Sequence, residues 1–307
     1  MSDTLQYFKA LSDETRLRLL LVLHRYELNV NELVELMDMG QSRVSRHLKI
    51  LSSSGLLTHR RDGLWVFYSA AQEGPGRKFI DAIYPFLTSE GFAQQDLALA
   101  AGIVEERSAK TSQFFNTIAE DWDAMSREVL GAFNLPEMVE KMMPERCKVA
   151  VDLGCGTGNV LEHLLNHSEE VIGVDGSARM LELARRRFSQ SGSRLSLRIG
   201  DLEHLPLRDS EADFICINLV LHHLADPGGV LLEVKRALKP NGVFLLTEFD
   251  KHTDESLRAD YGDRWLGFEA DTLESYMRSA GFEVTSSQSY PVEKGLSVHM
   301  FKATNNN

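Results

Sequence analysis

Apolar residues in the first third of the chain recur at three and four spacing as far as about residue 57 and then alternate, which predicts short helices followed by a β-hairpin. Leu11, Thr15, Leu19 and Val22 mark one helical face, and a second short helix is expected from Asn31 through Met37. Gly40 interrupts the pattern before QSRVSRHLKIL. On that helix Val44, Leu48 and Leu51 share the buried stripe, which turns Ser42, Arg43, Ser45, Arg46 and Lys49 outward. After Gly55, two β-prone runs flank Arg61-Asp62-Gly63-Leu64, and Asp-Gly is a strong hairpin signal because both residues tolerate the required backbone. Residues 70–76 read as a connection, IDAIYPFL as a helix interrupted at Pro85, and 92–130 as helical again. The boundary between domains is placed between these two helices: 1–90, a helical linker over 91–110, and 111–307.

Beyond Lys148 the pattern becomes an alternation of strand-like and helix-like runs, from VAVDLG and VLEHLL to VLLEVKRAL and GVFLLTEF. Such alternation implies an α/β domain with a mainly parallel sheet and helices on both faces. Asn305, Asn306 and Asn307 are expected to fray.

The chain has 307 residues, 43% hydrophobic and 25% charged, enough apolar surface for two substantial cores. No apolar run reaches the roughly 18–20 residues of a membrane span, and the first residues are charged and amphipathic where a secretory leader would be apolar. A cytoplasmic protein without membrane contact is expected. Three scattered cysteines form no C-x-x-C pair, so neither a disulfide framework nor a zinc ribbon is indicated. The net charge of −12 argues at first against a nucleic-acid partner. Residues 1–90, however, carry eleven basic and eleven acidic groups, leaving 22 basic and 34 acidic groups in the remainder. Residues 41–61 hold Arg43, Arg46, Lys49, Arg60 and Arg61 and no carboxylate, a local patch that can bind phosphate on an acidic molecule.

Two short helices, an outward basic helix and a basic hairpin are the parts of a winged helix, in which one helix enters the major groove of double-stranded DNA. Ser42, Arg43, Ser45 and Arg46 are the candidates for base edges and Lys49, Arg60 and Arg61 for phosphates, with Gln41 and His47 as further DNA-binding candidates, His47 either reaching DNA or simply facing solvent. Through LSDETRLRLLLVL, SRVSRHLKILSSSGLL and RRDGLWVFYS, residues 1–75 resemble the ArsR-type family of dimeric winged-helix repressors. The resemblance implies a homodimer on a palindromic operator. Many members of that family sense metals through a cysteine pair in an E-L-C-V-C-D-L stretch; here Asn29 and Asn31 occupy both positions, so that thiolate site cannot form. No metal is expected.

In the second half, strand 149–153 runs into Asp152-Leu153-Gly154-Cys155-Gly156-Thr157-Gly158, a glycine-rich strand-loop-helix turn. Asp175, at the tip of the next strand beside Gly176, can accept two ribose hydroxyls; Asp201, before Leu202, can accept an adenine amino proton. Asn218 and the pair His222-His223 follow the fourth strand. All stand at the ends of strands where open α/β sheets bind ligands. With FFNTIAEDWD, VIGVDGSARMLELARRR, GDLEHLPL and DFICINLVLHHL, this set resembles class I S-adenosylmethionine-dependent methyltransferases of the quinone C-methyltransferase type over about residues 110–302. The resemblance implies a Rossmann-like, seven-stranded sheet with an antiparallel edge near 282–289 and 296–303. It further implies that Asp152, Gly154, Cys155, Gly156, Gly158 and Met180 surround the methionine part of S-adenosylmethionine or S-adenosylhomocysteine. Trp122 either closes over the cofactor or packs as core.

Catalytic residues are hard to read, because methyl transfer is dominated by positioning and needs no general base. His222, His223, His252, Glu248, Asp250 and Arg258 are the polar groups expected near the methyl donor. Two functions stay open. The nucleoside domain is either an effector pocket for a transcriptional regulator of methionine and methyl-donor genes, as the joined architecture resembles, or a working methyltransferase on a quinone-type or arsenic acceptor that carries its own repressor.

Overall fold

The computed structural model describes residues 3–62, 65–224 and 226–306. Contacts divide the chain into two units, Met1–Ser108 and Ala109–Asn307.

The first unit opens with α1 (Asp3–Leu11) and α2 (Glu14–Arg25), the latter capped by Asp13. A two-residue strand β1 (Leu28–Asn29) leads into α3 (Val30–Met37). This helix starts one residue earlier than its periodicity suggests because Asn29 caps it, with Glu32 returning a hydrogen bond to the Asn29 amide. One of the two positions at which the resemblance places a metal thiolate therefore holds a helix cap. α4 (Gln41–Ser53) buries Val44, Leu48 and Leu51 as expected. Strands β2 (Leu57–Asp62) and β3 (Trp65–Ala70) pair antiparallel with Asp62 opposite Trp65; Gly63 and Leu64 of the expected turn lie outside the described residues. α5 (Gly74–Leu87) absorbs the end of the expected connection, with Pro75 in its first turn, and continues two residues past Pro85. Pro85 lies in the last turn, where the helix has little left to lose.

α6 (Ala93–Ile118) contributes to both units. Much of the stretch expected to be a linker, 91–110, helps to build the first: Ala93 and Ala100 join its core, and Asp96 is a buried partner of Arg18. The expected continuous helix to Leu130 breaks at 119–121, and α7 (Trp122–Leu130) starts anew.

The second unit continues with α8 (Leu135–Met142), β4 (Val149–Leu153), α9 (Leu161–His167), β5 (Glu170–Asp175), α10 (Ala178–Arg187) and β6 (Leu195–Ile199). β7 (Ala212–Asn218), α11 (Pro227–Ala237), β8 (Leu238–Phe249), α12 (Ser256–Tyr261), α13 (Ala270–Ser279), β9 (Glu283–Pro291) and β10 (Ser297–Thr304) complete it. The sheet has seven strands in the order β6-β5-β4-β7-β8-β10-β9. The first five run parallel. The last two strands supply the antiparallel edge as expected, with β10 lying between β8 and β9. Period-two alternation splits the core: Val151 and Leu153 face Leu231, Val234 and Met277, while Ala150 and Phe214 face Val139, Leu161 and Leu181. Asn305 does not fray: it is buried, and its Nδ2 donates to the Leu238 carbonyl.

Candidate functional site

In the first unit α4 exposes Gln41, Ser42, Arg43, Ser45, Arg46 and Lys49 along one side. Its N-terminal turn carries no acidic residue, so the positive end of the helix dipole is left for an anion. His47 departs from the expected face: it is half-buried, with Nδ1 3.7 Å from Asp13. Arg61 is exposed on β2, but Arg60 is not available as a phosphate contact. Its guanidinium lies over the Phe67 ring and donates to both carboxylate oxygens of Glu27 at 2.9 and 2.6 Å.

The second unit's candidate site lies at the C-terminal ends of β4, β5, β7 and β8. Gly154, Gly156 and Gly158 all have positive φ, which glycine adopts without a Cβ penalty. Their surroundings differ. A Cβ on Gly154 would meet Val220 at 2.4 Å and one on Gly158 would meet Phe188 at 2.6 Å, so these two are glycine for packing. At Gly156 the nearest atoms are Trp122 Nε1 at 3.7 Å and Met180 Sδ at 4.0 Å, so this glycine alone of the three has no packing clash that demands the absence of a Cβ. Asp175 accepts the amides of Gly156 and Ser177 at 2.8 and 2.7 Å, tying the tip of β5 to the turn. Burial raises its carboxyl above the usual range, and those two amides pull it back. Asp152 is buried next to Cys216 and Asn218; burial pushes its carboxyl up to about 7, against their hydrogen bonds and with help from the Asp175 charge.

Leu202 is buried, whereas Asp201 is exposed and accepts the Glu203 amide at 3.0 Å. Gly176 is exposed at the entrance to α10, whose cap is Ser177. Cys155 and Cys216 are buried with thiols raised well above their ordinary values by desolvation, so neither is a nucleophile.

Sequence reasoning missed several residues that hold this cleft. Asp123 accepts Thr157 at 2.5 Å and Asn159 at 3.2 Å, pinning the glycine turn to the start of α7 and so placing Trp122 beside Gly156. From the end of α6, Ser112 donates to the Gly176 carbonyl at 2.7 Å, and Asn116 accepts Ser177 Oγ at 2.7 Å and the Arg179 amide at 3.1 Å. Phe115 meets both Trp122 and His223 edge to face. The hydrogen-bonded pairs are 34 to 64 positions apart and leave no periodic mark in the chain.

Beside the cleft lies a small cavity of about 30 Å³, lined by Trp122, Val129, Leu219, Phe249 and Tyr261 together with His222 and Asp263. Leu219 holds a left-handed backbone, φ 57°, uncommon for a non-glycine residue. His222 Nδ1 donates to the fully buried Glu248 at 2.5 Å. Burial works to lower the His222 pKa, but the Glu248 and Asp263 charges outweigh it and raise it to about 9. His223 goes well below its ordinary value through burial and the His222 charge. His252 is half-buried and lowered by the same causes. Asp250 turns away, bound by Ser289 and His299 on the neighbouring strands, and Arg258 pairs with Glu255.

Residues 151–246 match the family model described as a methyltransferase domain, and residues 13–59 match that of bacterial regulatory proteins of the arsR family. The demethylmenaquinone methyltransferase of Symbiobacterium thermophilum is 30% identical over 175 residues, covering 53% of this chain and 68% of the relative. The chain belongs to the methyltransferase-domain family. Its first unit is an arsR-family helix-turn-helix, which implies DNA binding. An uncharacterized 37.1 kDa protein in a transposon of Streptomyces fradiae is 40% identical over 117 residues, 37% of this chain and 33% of that protein. A demethylmenaquinone methyltransferase of Lactiplantibacillus plantarum is 35% identical over 143 residues, 44% of this chain and 60% of that one. The chain thus spans a third to three-fifths of the length of these two relatives. Among solved structures, the cyclase SpnF aligns at TM-score 0.55 and 16% identity, over 64% of this chain and 95% of that one. A SAM dependent methyltransferase from Aquifex aeolicus aligns at 0.50 and 21%, over 62% and 97%. Both share the fold of the methyltransferase domain, and a cyclase on that fold shows that the fold alone does not specify methyl transfer. The domain implies S-adenosylmethionine as cofactor or ligand. Gly156, with Trp122 and Met180 as its nearest side chains, presents backbone without a Cβ to such a molecule.

Proposed function

We propose that this chain is a DNA-binding transcriptional regulator whose methyltransferase domain binds S-adenosylhomocysteine or S-adenosylmethionine as its effector. The observation that carries the reading is that α6 supplies residues to both jobs. Within the first unit its Arg107 pairs with Glu32 at 2.6 Å and donates to the Glu27 carbonyl at 3.1 Å. Glu32 caps α3 and Glu27 holds Arg60 of β2, so one helix grips both parts of the arsR-type head. Within the second unit the same helix holds the loop after β5 through Ser112 and Asn116. Ligand that favours one setting of that loop would bias the head, provided its affinities for the two settings differ. A tenfold change in operator affinity needs about 1.4 kcal/mol of difference, inside the ordinary coupling range.

Asp175, Gly156, Met180, Leu202 and Trp122 are the residues assigned to the nucleoside, with Asp152 and Asn218 behind them. Arg43 and Arg46 are assigned to base edges, and Lys49 and Arg61 to phosphates. The regulated genes belong, on this reading, to methionine and methyl-donor metabolism, and the regulator works as a homodimer on a palindromic site. A second reading, an active methyltransferase on a small apolar acceptor of the quinone type, is favoured by the similarity to demethylmenaquinone methyltransferases. Operator binding titrated with each nucleoside, beside a labelled methyl-transfer assay, separates the two. Loss of nucleoside binding in Asp175→Ala with an intact ligand response on DNA would refute the coupling.

A further inference from the structure

We infer that His222, His223 and Asp263 form a site for one borderline divalent metal ion, of the zinc, cobalt or ferrous class, opening on the small cavity beside the glycine turn. One ring nitrogen of each histidine and one carboxylate oxygen of Asp263 lie within 4.8 Å of one another. His222 Nε2 is 3.5 Å from Asp263 Oδ1. Ligand atoms arranged tetrahedrally about such an ion, each roughly 2.0–2.2 Å from it, stand only a little closer than that. All three side chains are buried, with at most 4% of their surface exposed.

The surroundings match a ligand set more closely than a finished hydrogen-bond network. His222 is backed through Nδ1 by Glu248, and His223 through Nδ1 by the Gly262 carbonyl at 3.2 Å, the outer partners that orient metal-binding imidazoles. Among the described residues, His223 Nε2 and Asp263 Oδ2 are buried without a hydrogen-bond partner. Buried polar atoms are almost always paired, and two orphans in one cluster call for an occupant. Two nitrogens and one oxygen select a borderline metal over magnesium or calcium, and the absence of a thiolate from the trio disfavours soft ions. Three protein ligands leave a coordination position for a small molecule, and the cavity lined by Trp122, Leu219, Phe249 and Tyr261 is next to it. The site is separate from the position where the arsR resemblance places thiolates, and it stands whether or not the domain transfers a methyl group.

The test is uptake of Co2+ by tag-free, chelator-stripped full-length protein, followed by visible ligand-field absorption, with Zn2+ as competitor. One equivalent per chain, displaced by Zn2+, is expected. Asp263→Asn and His223→Gln should each weaken binding roughly tenfold or more and remove the metal-dependent rise in unfolding temperature. Asp250→Asn, which alters the separate His299 pair, should bind as the parent does. No uptake by the parent protein overturns the site. Equal uptake by the Asp263 and His223 variants overturns it too, by placing the ion elsewhere, for instance at His163, His167 and Glu140.

Discussion

Three glycines in one turn have three different neighbours, and adding a methyl group to each separates their roles. Gly154→Ala and Gly158→Ala drive a Cβ against Val220 and Phe188 from a positive-φ backbone, and each should cost about 1–3 kcal/mol or more in urea unfolding. Gly156→Ala meets nothing nearer than 3.7 Å and bears only the strain of its positive φ, so it should cost about 1 kcal/mol, less than either neighbour, while nucleoside affinity, read by calorimetry, falls about tenfold or more. Asp152 gives a pH prediction. Burial raises its carboxyl to about 7, against about 3.9 in an unfolded chain, so the folded state holds the proton more tightly. Its contribution to stability is then full below about pH 4 and is lost as pH rises through 7. Unfolding free energies measured from pH 5 to 8 should decline less steeply in Asp152→Asn than in the parent; parallel curves would assign the slope to another group.

At the level of elements, the clasp between α6 and α3 can be broken without touching either ligand. Arg107→Ala should leave nucleoside and ligand-free DNA affinities within about twofold, yet reduce the ligand-induced change in DNA affinity by roughly 1 kcal/mol, about fivefold. On β2 the two arginines should now part company. Arg61→Ala should lower the salt dependence of DNA binding by about one unit of slope, whereas Arg60→Ala should mainly loosen the hairpin, because its charge is spent on Glu27. Such pairs explain what could be read in advance. The buried stripe of Val44, Leu48 and Leu51, the parallel strands and the glycine turn repeat at periods of two or near four, and periodicity is visible in one chain. Glu27 with Arg60, Arg107 with Glu32, and Asp123 with Thr157 are single meetings over 33 to 75 positions, made by the fold and recorded nowhere in local pattern. His47 and Arg60 misled for the same reason: their helical or strand positions fitted the DNA face, but a partner from another element had already claimed each.

For the whole molecule, six of the eight large apolar side chains exposed among the described residues belong to the first unit, including Leu5, Phe8, Phe86 and Leu99. On the proposed homodimer reading, these side chains are the candidates for the surface shared with a second copy. Phe8→Glu combined with Phe86→Glu should give a monomer by sedimentation and lose operator binding at least tenfold; a dimer that persists would move the interface elsewhere. The place of β10 also governs how the second unit is made. A strand that follows β8 and β9 in sequence but lies between them leaves β8 with a bare flank, and β9 with no neighbour, until residues 297–304 have been made. The arsR-type head has all its pairings in hand long before. A ribosome stalled ahead of residue 297 would therefore hold a closed DNA-binding head above an open, aggregation-prone sheet, a species that chaperones rather than operators would meet first.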